Sequence, residues 1–308
     1  MRTPQIALLP DGRRLHLQDG PIDLVIEAFG AEAAVQTAYR AAAHRFTGLL
    51  DELVTELALL RAPAESGVYS RSVPARGVVA QRMCRAVAPF AAEGFITPMA
   101  AVAGAVAEEI LEAMTRAAPL RRAYVNNGGD IAFHLARGEA FTLGLVDRPD
   151  QPSLFACATI SEHTPARGVA TSGWHGRSFS LGIADAVSVL AATAAAADAA
   201  ATVIANAVDL PGHPAIARAP ASTIKPDNDL GERLVTCGVG PLTPQEIARA
   251  IAGGLATAEN LHDRCLIHAA AIHLQGETQV LVPAAFERSQ GAKPAISPLS
   301  SEREFAHV

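Results

Sequence analysis

The stretch from Gly168 to Val208 reads GVATSGWHGRSFSLGIADAVSVLAATAAAADAAATVIANAV, and it decides how the rest of the chain is interpreted. Most of its residues are alanine or other small apolar residues, which is typical of closely packed strands and helices. Polar residues nevertheless recur through it, among them His175, Asp185 and Asp198. Two interpretations follow: a core with stray polar side chains, or a binding site built on a scaffold of small residues.

The secondary structure expected for this stretch is two strands within 166–191, with a turn around 174–176, followed by a helix over 194–208. Further strands are expected on both sides of it, and several are joined by short turns. Helices lie between these groups of strands, so we expect an α+β fold with a mixed or antiparallel sheet and packed helices, not a doubly wound parallel sheet. The other predicted strands are short segments within 5–28 and RAYVNN, DIAFHLAR, AFTLGLV, LFACATI, RLVTCGVG, CLIHAAAIHLQG and ETQVLV.

Four further segments have helical periodicity, and two of them carry a recognisable start signal. Thr97 followed by Pro98 predicts an N-cap and a first helical residue, and Thr243 predicts a second cap. Gly104 inside the helix behind Thr97 weakens that helix, which suggests that a backbone or a ligand approaches it closely. The predicted helices cover 31–60, 76–90, 95–114 and 243–265, and a long loop is predicted over 209–232.

Length, composition and charge favour some classes of protein and argue against others. The chain has 308 residues, of which 50% are hydrophobic and 5% aromatic, so we expect one domain over 1–286 with an aliphatic core and a flexible tail over 287–308. The net charge is −6, without the clustered basic and aromatic residues of a nucleic-acid-binding protein. There is no apolar run of about 20 residues and no secretory signal, so we expect a cytoplasmic protein without a membrane span. The four cysteines are far apart and predict reduced thiols.

The first candidate site is YVNNGGDIAFHL, where one strand runs into Asn126–Asp130 and another leaves. Two adjacent glycines let a ligand approach the backbone, and their N–H groups can face a phosphate. The alternative is an ordinary β-hairpin turn, because Asn-Gly is the strongest short hairpin signal. Spacing alone favours the hairpin.

The second candidate is the helix that carries Asp198, Thr202 and Asn206. Their spacing of four residues places all three on one helix face. Carboxylate, hydroxyl and amide oxygens are hard donors that suit Mg²⁺. The alternative is a solvated stripe on an alanine-rich helix, and periodicity alone narrowly favours that stripe.

The third candidate is ATSGWHGRS, where Thr171, Ser172 and Gly173 end a strand and His175 and Arg177 follow in the turn. Arginine can bind phosphate with two parallel hydrogen bonds, and histidine can exchange a proton near neutral pH. The alternative is an exposed turn without a function.

These motifs, taken in order, resemble the ApbE superfamily of flavin transferases, which attach FMN to protein threonines using FAD and Mg²⁺. The resemblance lies in VNNGGDI, GVATSG, ADAVSVLA and ADAAAT, together with AAVAGAVAE over 100–108, and it makes 95–208 the motif core. A closer resemblance, over most of the chain, is to a cytoplasmic, uncharacterised branch of that superfamily. It implies an ApbE-like, T-fold-like architecture of the α+β class.

The resemblance also implies a role for particular residues. Asp198 and Thr202 match the metal-binding Asp and Thr, and His175 and Arg177 are the candidate catalytic residues. The implied cofactors are FAD or FMN and Mg²⁺. The implied cofactor-binding residues are Gly104, Glu108, Asn127, Gly128, Gly129, Asp130, Thr171, Ser172 and Gly173.

Two departures from the superfamily pattern bear on the reaction. A lysine that the transferases carry between the positions of Ala103 and Gly104 has no counterpart. A His-Ile-Ile-Asp-Pro-x-Thr-Gly segment is replaced by the short WHGRSFSLGI. That segment supplies groups near the pyrophosphate that is cleaved, so its absence argues against retained FMN transfer unless His175 or Arg177 takes over.

Three functional hypotheses follow from this. The first is a Mg²⁺-dependent flavin- or nucleotide-binding enzyme, a divergent FMN transferase with a protein acceptor. The second is a cytoplasmic accessory protein of sulfur assimilation or redox metabolism with a ferredoxin-like partner. The third is a non-catalytic flavin-binding relative. The alanine-rich helices are also compatible with a homodimer.

Overall fold

The computed structural model describes residues 3–65, 74–92, 94–146, 154–281 and 296–298. Strands and helices alternate in groups along these ranges. The strands are β1 (Gln5–Leu8), β2 (Leu15–Asp19), β3 (Ile22–Phe29), β4 (Arg122–Asn127), β5 (Asp130–Leu135), β6 (Ala140–Val146), β7 (Leu154–Ser161), β8 (Gly168–Ser172), β9 (Ala186–Ala191), β10 (Ile216–Pro220), β11 (Leu234–Val239), β12 (Ala269–Leu274), β13 (Glu277–Leu281) and β14 (Ile296–Pro298). The helices are α1 (Glu32–Phe46), α2 (Leu49–Thr55), α3 (Leu57–Leu60), α4 (Val78–Val87), α5 (Val102–Ala117), α6 (Ala194–Ala207), α7 (Ala221–Ile224) and α8 (Pro244–Asp263), with 3₁₀ turns at Ala88–Phe90 and Pro98–Ala101.

Nine strands form one sheet in the order β1-β2-β3-β4-β5-β8-β9-β12-β13, and every neighbouring pair is antiparallel. A smaller sheet, β14-β7-β6, and the hairpin β10-β11 complete the strand pairing of the described residues. The predicted α+β class with an antiparallel sheet is therefore confirmed.

Two apolar clusters hold the large sheet between helices and the small sheet. The first contains Ile110, Ala132 and Ile204, and joins the helices to one sheet face. The second contains Phe133, Phe155 and Leu190. Neighbouring residues of β5 point to opposite clusters, as the two-residue repeat of a strand requires. Because β9 and β12 are covered on both faces, all of their residues are buried, which explains their content of small and branched apolar residues.

Three details differ from the expectations. The helix predicted over 31–60 is divided into α1, α2 and α3, because Gly48 adopts a left-handed conformation (φ +84°) between the first two. The loop predicted over 209–232 contains β10 and α7. Residues 296–298 of the predicted flexible tail pair with β7, and the rest of that tail lies outside the described residues.

The two predicted helix caps have different outcomes. Thr243 accepts a hydrogen bond from the Glu246 N–H and forms a capping box, as predicted. Thr97 precedes the 3₁₀ turn at Pro98 but does not cap it, because its hydroxyl donates to the Asp229 carboxylate. Within the described ranges, none of the helices is long and apolar enough to cross a membrane.

Candidate functional site

Segments far apart in the sequence meet where the β4–β5 hairpin lies against the start of α5. The Asn127 side-chain amide donates to the Ala103 carbonyl oxygen (3.2 Å). The Gly104 N–H donates to Oδ2 of Asp198 on α6 (3.1 Å). Three of the motifs singled out in the sequence are therefore in direct contact.

Gly104 has a structural reason for being glycine. A Cβ atom at this position would lie 2.3 Å from the carbonyl oxygen of Ala194, so the backbones of α5 and α6 could not approach as they do. This close approach is what brings the Gly104 N–H within reach of Asp198. The unfavourable helix propensity of glycine is accepted here because helix packing requires it.

The Gly128–Gly129 pair is a two-residue hairpin turn, and Asn127 and Asp130 face each other across it. Gly128 has φ +66° and Gly129 has φ +113°, values that favour glycine. The side-chain amide oxygen of Asn126 accepts the Gly129 N–H (2.8 Å). The hairpin interpretation of this motif is therefore correct. It does not conflict with ligand binding, which stays a prediction.

Asp130 and Asp198 form what we call the carboxylate pair. Burial raises the pKa of Asp130 to about 7, although the Thr171 N–H (3.1 Å from Oδ1) and the Arg177 guanidinium act in the opposite direction. Burial and the neighbouring Asp130 carboxylate raise the pKa of Asp198 well above its usual range, while backbone N–H groups of Gly104 and Ala103 oppose this. Among the described residues, Asp198 forms no salt bridge with Lys, Arg or His.

Arg177 lies across the glycine turn. A Cβ atom on Gly128 would lie only 1.6 Å from an Nη atom of Arg177, so the turn leaves room for the guanidinium. Arg177 is exposed, and its charge acts on Asp130. The loop after β8 thus returns to the β4–β5 hairpin and adds a cation beside the carboxylate pair.

The residues of the α6 stripe separate into two groups. Thr202 follows Asp198 by one helical turn and is partly exposed, so both side chains lie on the same helix face. The side-chain oxygen of Asn206 accepts the Leu181 N–H (2.9 Å), which fixes the loop before β9. Asn206 therefore supports the loop, whereas Asp198 accepts the Gly104 N–H beside Asp130 and Thr202 is partly exposed.

The strand end of the third motif is held mostly by internal contacts. The Thr171 hydroxyl lies 2.7 Å from the hydroxyl of Ser188 on β9. Ser172 is partly exposed. Gly173 is buried, and its carbonyl oxygen accepts the Gly176 N–H (3.1 Å). In this motif, only the Thr171 backbone contacts the carboxylate pair directly.

His175 lies beside Asp185, a residue that the sequence did not identify as part of the site. Its Nε2 atom is 3.2 Å from Oδ1 of Asp185, and the same oxygen accepts the Trp174 indole N–H (3.0 Å). The ring centroids of Trp174 and His175 are 3.8 Å apart. A lone tryptophan in a glycine-rich turn, followed by an aspartate at the start of the next strand, was the available signal.

Glu108 has a structural position. Its Oε1 atom accepts the Ala195 N–H in the first turn of α6 (2.7 Å), and its Oε2 atom lies 3.0 Å from the Arg82 guanidinium. Both carboxylate oxygens are therefore engaged within the chain. The contacts of Glu108 are to Ala195 and Arg82 and not to the carboxylate pair, and its role in cofactor binding stays a prediction.

Few protein side chains around Asp198 could serve as metal ligands. In the part of the chain that the structure describes, no group of three or more His, Cys, Asp or Glu side chains could hold a metal ion. The protein donors near Asp198 are carboxylate and hydroxyl oxygens. Mg²⁺ is commonly held by one or two carboxylates, with waters and substrate phosphates as the other ligands. The donor set therefore fits Mg²⁺ that is bound together with a phosphate ligand.

Comparison with known proteins identifies relatives along most of the chain. The family model described as "AbpE bacteria" matches residues 6–280. A UPF0280 protein of Methanopyrus kandleri is 36% identical over 185 residues, which are 60% of this chain and 69% of the relative. A UPF0280 protein of Methanothrix thermoacetophila is 37% identical over 134 residues, which are 42% of this chain and 52% of the relative.

Solved structures show a looser likeness. The apo form of the Pseudomonas stutzeri flavinyl transferase ApbE has a TM-score of 0.46 and 12% identity, over 94% of this chain and 98% of that one. A variant of the flavin transferase ApbE from Vibrio cholerae has a TM-score of 0.38 and 11% identity, over 89% of this chain and 99% of that one. The chain spans about two thirds of the Methanopyrus relative and about half of the Methanothrix relative.

Proposed function

This chain belongs to the family described as "AbpE bacteria", and we propose that it binds a flavin nucleotide, FAD or FMN, together with Mg²⁺. The observation that carries the proposal is the carboxylate pair. Asp130 is buried and Asp198 is half-buried, the Asp130 carboxylate raises the pKa of Asp198, and Asp198 has no cationic side chain as a salt-bridge partner among the described residues. Such an arrangement is unfavourable unless the carboxylates are protonated or a cation is supplied from outside.

Asp198 and Thr202 are the residues that would hold the metal, and Asp130 would contribute a second negative charge beside it. When bound, Mg²⁺ would supply positive charge that neutralises the phosphate oxygens of the nucleotide. Arg177 and the Gly128–Gly129 turn border the same position, where the guanidinium and the Gly128 N–H can face those oxygens. The Gly129 N–H is donated to the Asn126 side chain.

The ligand class follows from the motif resemblance as well as from this geometry. The phosphate-facing groups come from the same motifs that resemble the flavin transferases: the Gly-Gly-Asp turn, the Thr-Ser-Gly strand end and the Ala-Asp-Ala-Ala-Ala-Thr helix. A phosphate-bearing flavin therefore agrees with both lines of argument. A cytoplasmic location, a protein acceptor, a ferredoxin-like partner and a homodimer stay predictions.

Transfer of FMN from FAD to a protein threonine is the reaction that such a site would support. The threonine oxygen would form the new bond to phosphorus, the pyrophosphate bond would break, and AMP would leave. The threonine hydroxyl would give its proton to a base, and His175, the candidate from the sequence, lies beside Asp185 at the other end of the loop from Arg177, so that role stays a prediction. Release of AMP in the presence of FAD, Mg²⁺ and an acceptor distinguishes transfer from binding alone.

The binding proposal is tested by thermal unfolding with FAD or FMN, with and without Mg²⁺. A ligand at 100 times its Kd stabilises the folded state by about 2.7 kcal/mol, which corresponds to a rise in Tm of about 4 °C for a chain of this size. We expect Asp198→Ala to lose the Mg²⁺-dependent part of this rise. Asp263→Ala is the matched control, because the Asp263 side chain is 84% exposed at the end of α8. A wild-type protein whose Tm does not change with either flavin would contradict the proposal.

A further inference from the structure

Trp174 is the sole tryptophan of the chain, and it lies partly exposed in the loop between β8 and β9. Its ring is packed against that of His175, with the two ring planes inclined by 36°. The indole N–H donates to Oδ1 of Asp185. An indole that is half-buried, stacked on one neighbour and fixed at its only polar atom has little freedom to move.

Asp185 fastens this arrangement to the sheet. Its Oδ1 atom accepts the Trp174 indole N–H and lies near His175, while its Oδ2 atom accepts the N–H of Gln275 in the β12–β13 turn (2.6 Å). The Asp185 N–H in turn donates to the His273 carbonyl oxygen (3.0 Å). We call Trp174, His175 and Asp185 the ring platform.

The ring platform lies at the same end of the sheet as the carboxylate pair. Asp130 begins β5, Ser172 ends β8 and Asp185 immediately precedes β9, and these three strands are antiparallel neighbours. Neighbouring strands are about 4.8 Å apart, so about 10 Å separates β5 from β9 across the sheet. The register places Asp130 level with Val189, four residues beyond Asp185, which adds about 13 Å along the strands and makes the separation about 16 Å.

The loop that carries the ring platform also reaches the phosphate-facing groups. Arg177 follows His175 by two residues and lies across Gly128. One short loop therefore presents an aromatic ring at one end and a guanidinium at the other. A nucleotide has the same arrangement, with a flat ring joined to its phosphates through a sugar or ribityl chain.

We propose that Trp174 is the surface on which the heteroaromatic ring of the bound nucleotide stacks while the phosphates face the carboxylate pair. This inference rests on the proposed function and adds the ring-binding residue to it. The ring is either the isoalloxazine of the flavin or the adenine of FAD, since both present a flat π-face of the kind that stacks on aromatic side chains.

The test is the Kd for FAD, FMN and AMP, each with Mg²⁺, measured by calorimetry on the full chain. Stacking of one base on one aromatic side chain changes affinity by about tenfold or more, so we expect Trp174→Ala to weaken FAD binding by that factor. Trp174→Phe keeps an aromatic face and should lose about threefold or less. Phe179→Ala is the control, because Phe179 is a partly exposed aromatic residue of the same loop.

The three ligands separate the two rings. Weaker binding of FMN but not AMP by Trp174→Ala identifies isoalloxazine as the stacked ring, and weaker binding of AMP but not FMN identifies adenine. Circular dichroism establishes that the variant is folded. Where Trp174→Ala does not fold, Trp174→Leu replaces it, because leucine keeps apolar volume without an aromatic face. A folded variant with wild-type affinity for all three ligands would overturn this inference alone, whereas a wild-type chain that binds none of them would overturn the proposed function as well.

Discussion

Two acidic clusters lie on either side of the contact between α5 and α6, and they differ in whether cationic side chains compensate their carboxylates. In the first, Glu108, Glu109 and Glu112 surround Arg82, and Arg45 adds a second guanidinium 2.7 Å from Glu109. We call it the arginine-paired cluster. The carboxylate pair on the other side consists of Asp130 and Asp198, of which Asp198 forms no salt bridge among the described residues.

The difference indicates a structural role for the first cluster and agrees with the cation-binding role proposed for the second. The side chains of Glu108 and Glu109 are 13% and 11% exposed, so they are removed from water almost as fully as a core residue, and guanidinium groups compensate for the lost solvation. The carboxylate pair is also desolvated, but its compensation is left to backbone N–H groups and to Arg177 beside one of the two. Paired charge makes the first cluster a support of the helix contact, and uncompensated charge makes the second a candidate cation site.

The largest effect is expected from a change that disrupts the α5–α6 contact, which holds both clusters in place. Gly104→Ala places a methyl group where only 2.3 Å separates it from the Ala194 carbonyl oxygen, and neither backbone can move without shifting its helix. We expect a loss of about 3 kcal/mol in the free energy of unfolding, measured by urea denaturation.

Ala113→Gly on the same helix is the control for that experiment. It changes helix propensity without adding an atom and should cost up to about 1 kcal/mol. A Gly104→Ala protein as stable as wild type would show that α5 and α6 can separate freely, and the two clusters would then not depend on one contact.

The second prediction addresses the arginine-paired cluster alone. Arg82→Met keeps much of the side-chain length but leaves Glu108 without its guanidinium partner. The cluster is partly exposed, and Arg45 and Arg116 still contact Glu109 and Glu112. We therefore expect a loss of about 2 kcal/mol, less than for a fully buried pair.

The same Arg82 variant should keep the Mg²⁺-dependent rise in Tm with flavin. Arg85→Met serves as the control, because Arg85 is an exposed residue of the same helix whose guanidinium contacts Gln81. Loss of the ligand effect in Arg82→Met would mean that the two clusters form one functional unit, and the distinction drawn between them would fail.

The sequence was informative where a role depends on local spacing. A helix over 194–208 with Asp198 and Thr202 on one face, the glycine pair between β4 and β5, and the strand end at Thr171 all follow from periodicity and turn chemistry. The motif order added the family, and the match over residues 6–280 confirms it.

The sequence was not informative where a side chain has to choose among distant partners. Glu108 and Asn206 lie at helical spacing from other polar residues, and that spacing does not predict their long-range contacts to Arg82 and to the Leu181 N–H. Asp185 is recognisable only once β12 and the loop after β8 are seen to meet at it. Such contacts depend on the order of strands in the sheet, which no local pattern encodes.

The smallest predicted effect is a gain in the free energy of unfolding, whereas the two predictions above are losses. Asp198→Asn replaces a carboxylate by a neutral amide that can still accept the Gly104 N–H. In the ligand-free protein the folded-state pKa values of Asp130 and Asp198 are raised, so the folded state binds protons more tightly than the unfolded chain does. The stability that these groups contribute is therefore largest below their unfolded pKa, about 3.9, and is lost as the pH rises through their folded-state pKa values, which for Asp130 is about 7.

The amide does not ionise, so Asp198→Asn should be more stable than wild type by about 1 kcal/mol at pH 8, where the folded wild type must hold a desolvated charge or a proton that the unfolded chain has released. At pH 5 the unfolded chain binds part of these protons as well, so the difference should be smaller. Urea denaturation at both pH values without Mg²⁺ measures this, with Asp263→Asn as the exposed control. We also expect Asp198→Asn to lose Mg²⁺-dependent flavin binding, because the carboxylate charge that destabilises the folded protein without a cation is the charge that would bind the cation. A variant less stable than wild type at pH 8 would mean that Asp198 is compensated within the chain, as Glu108 is.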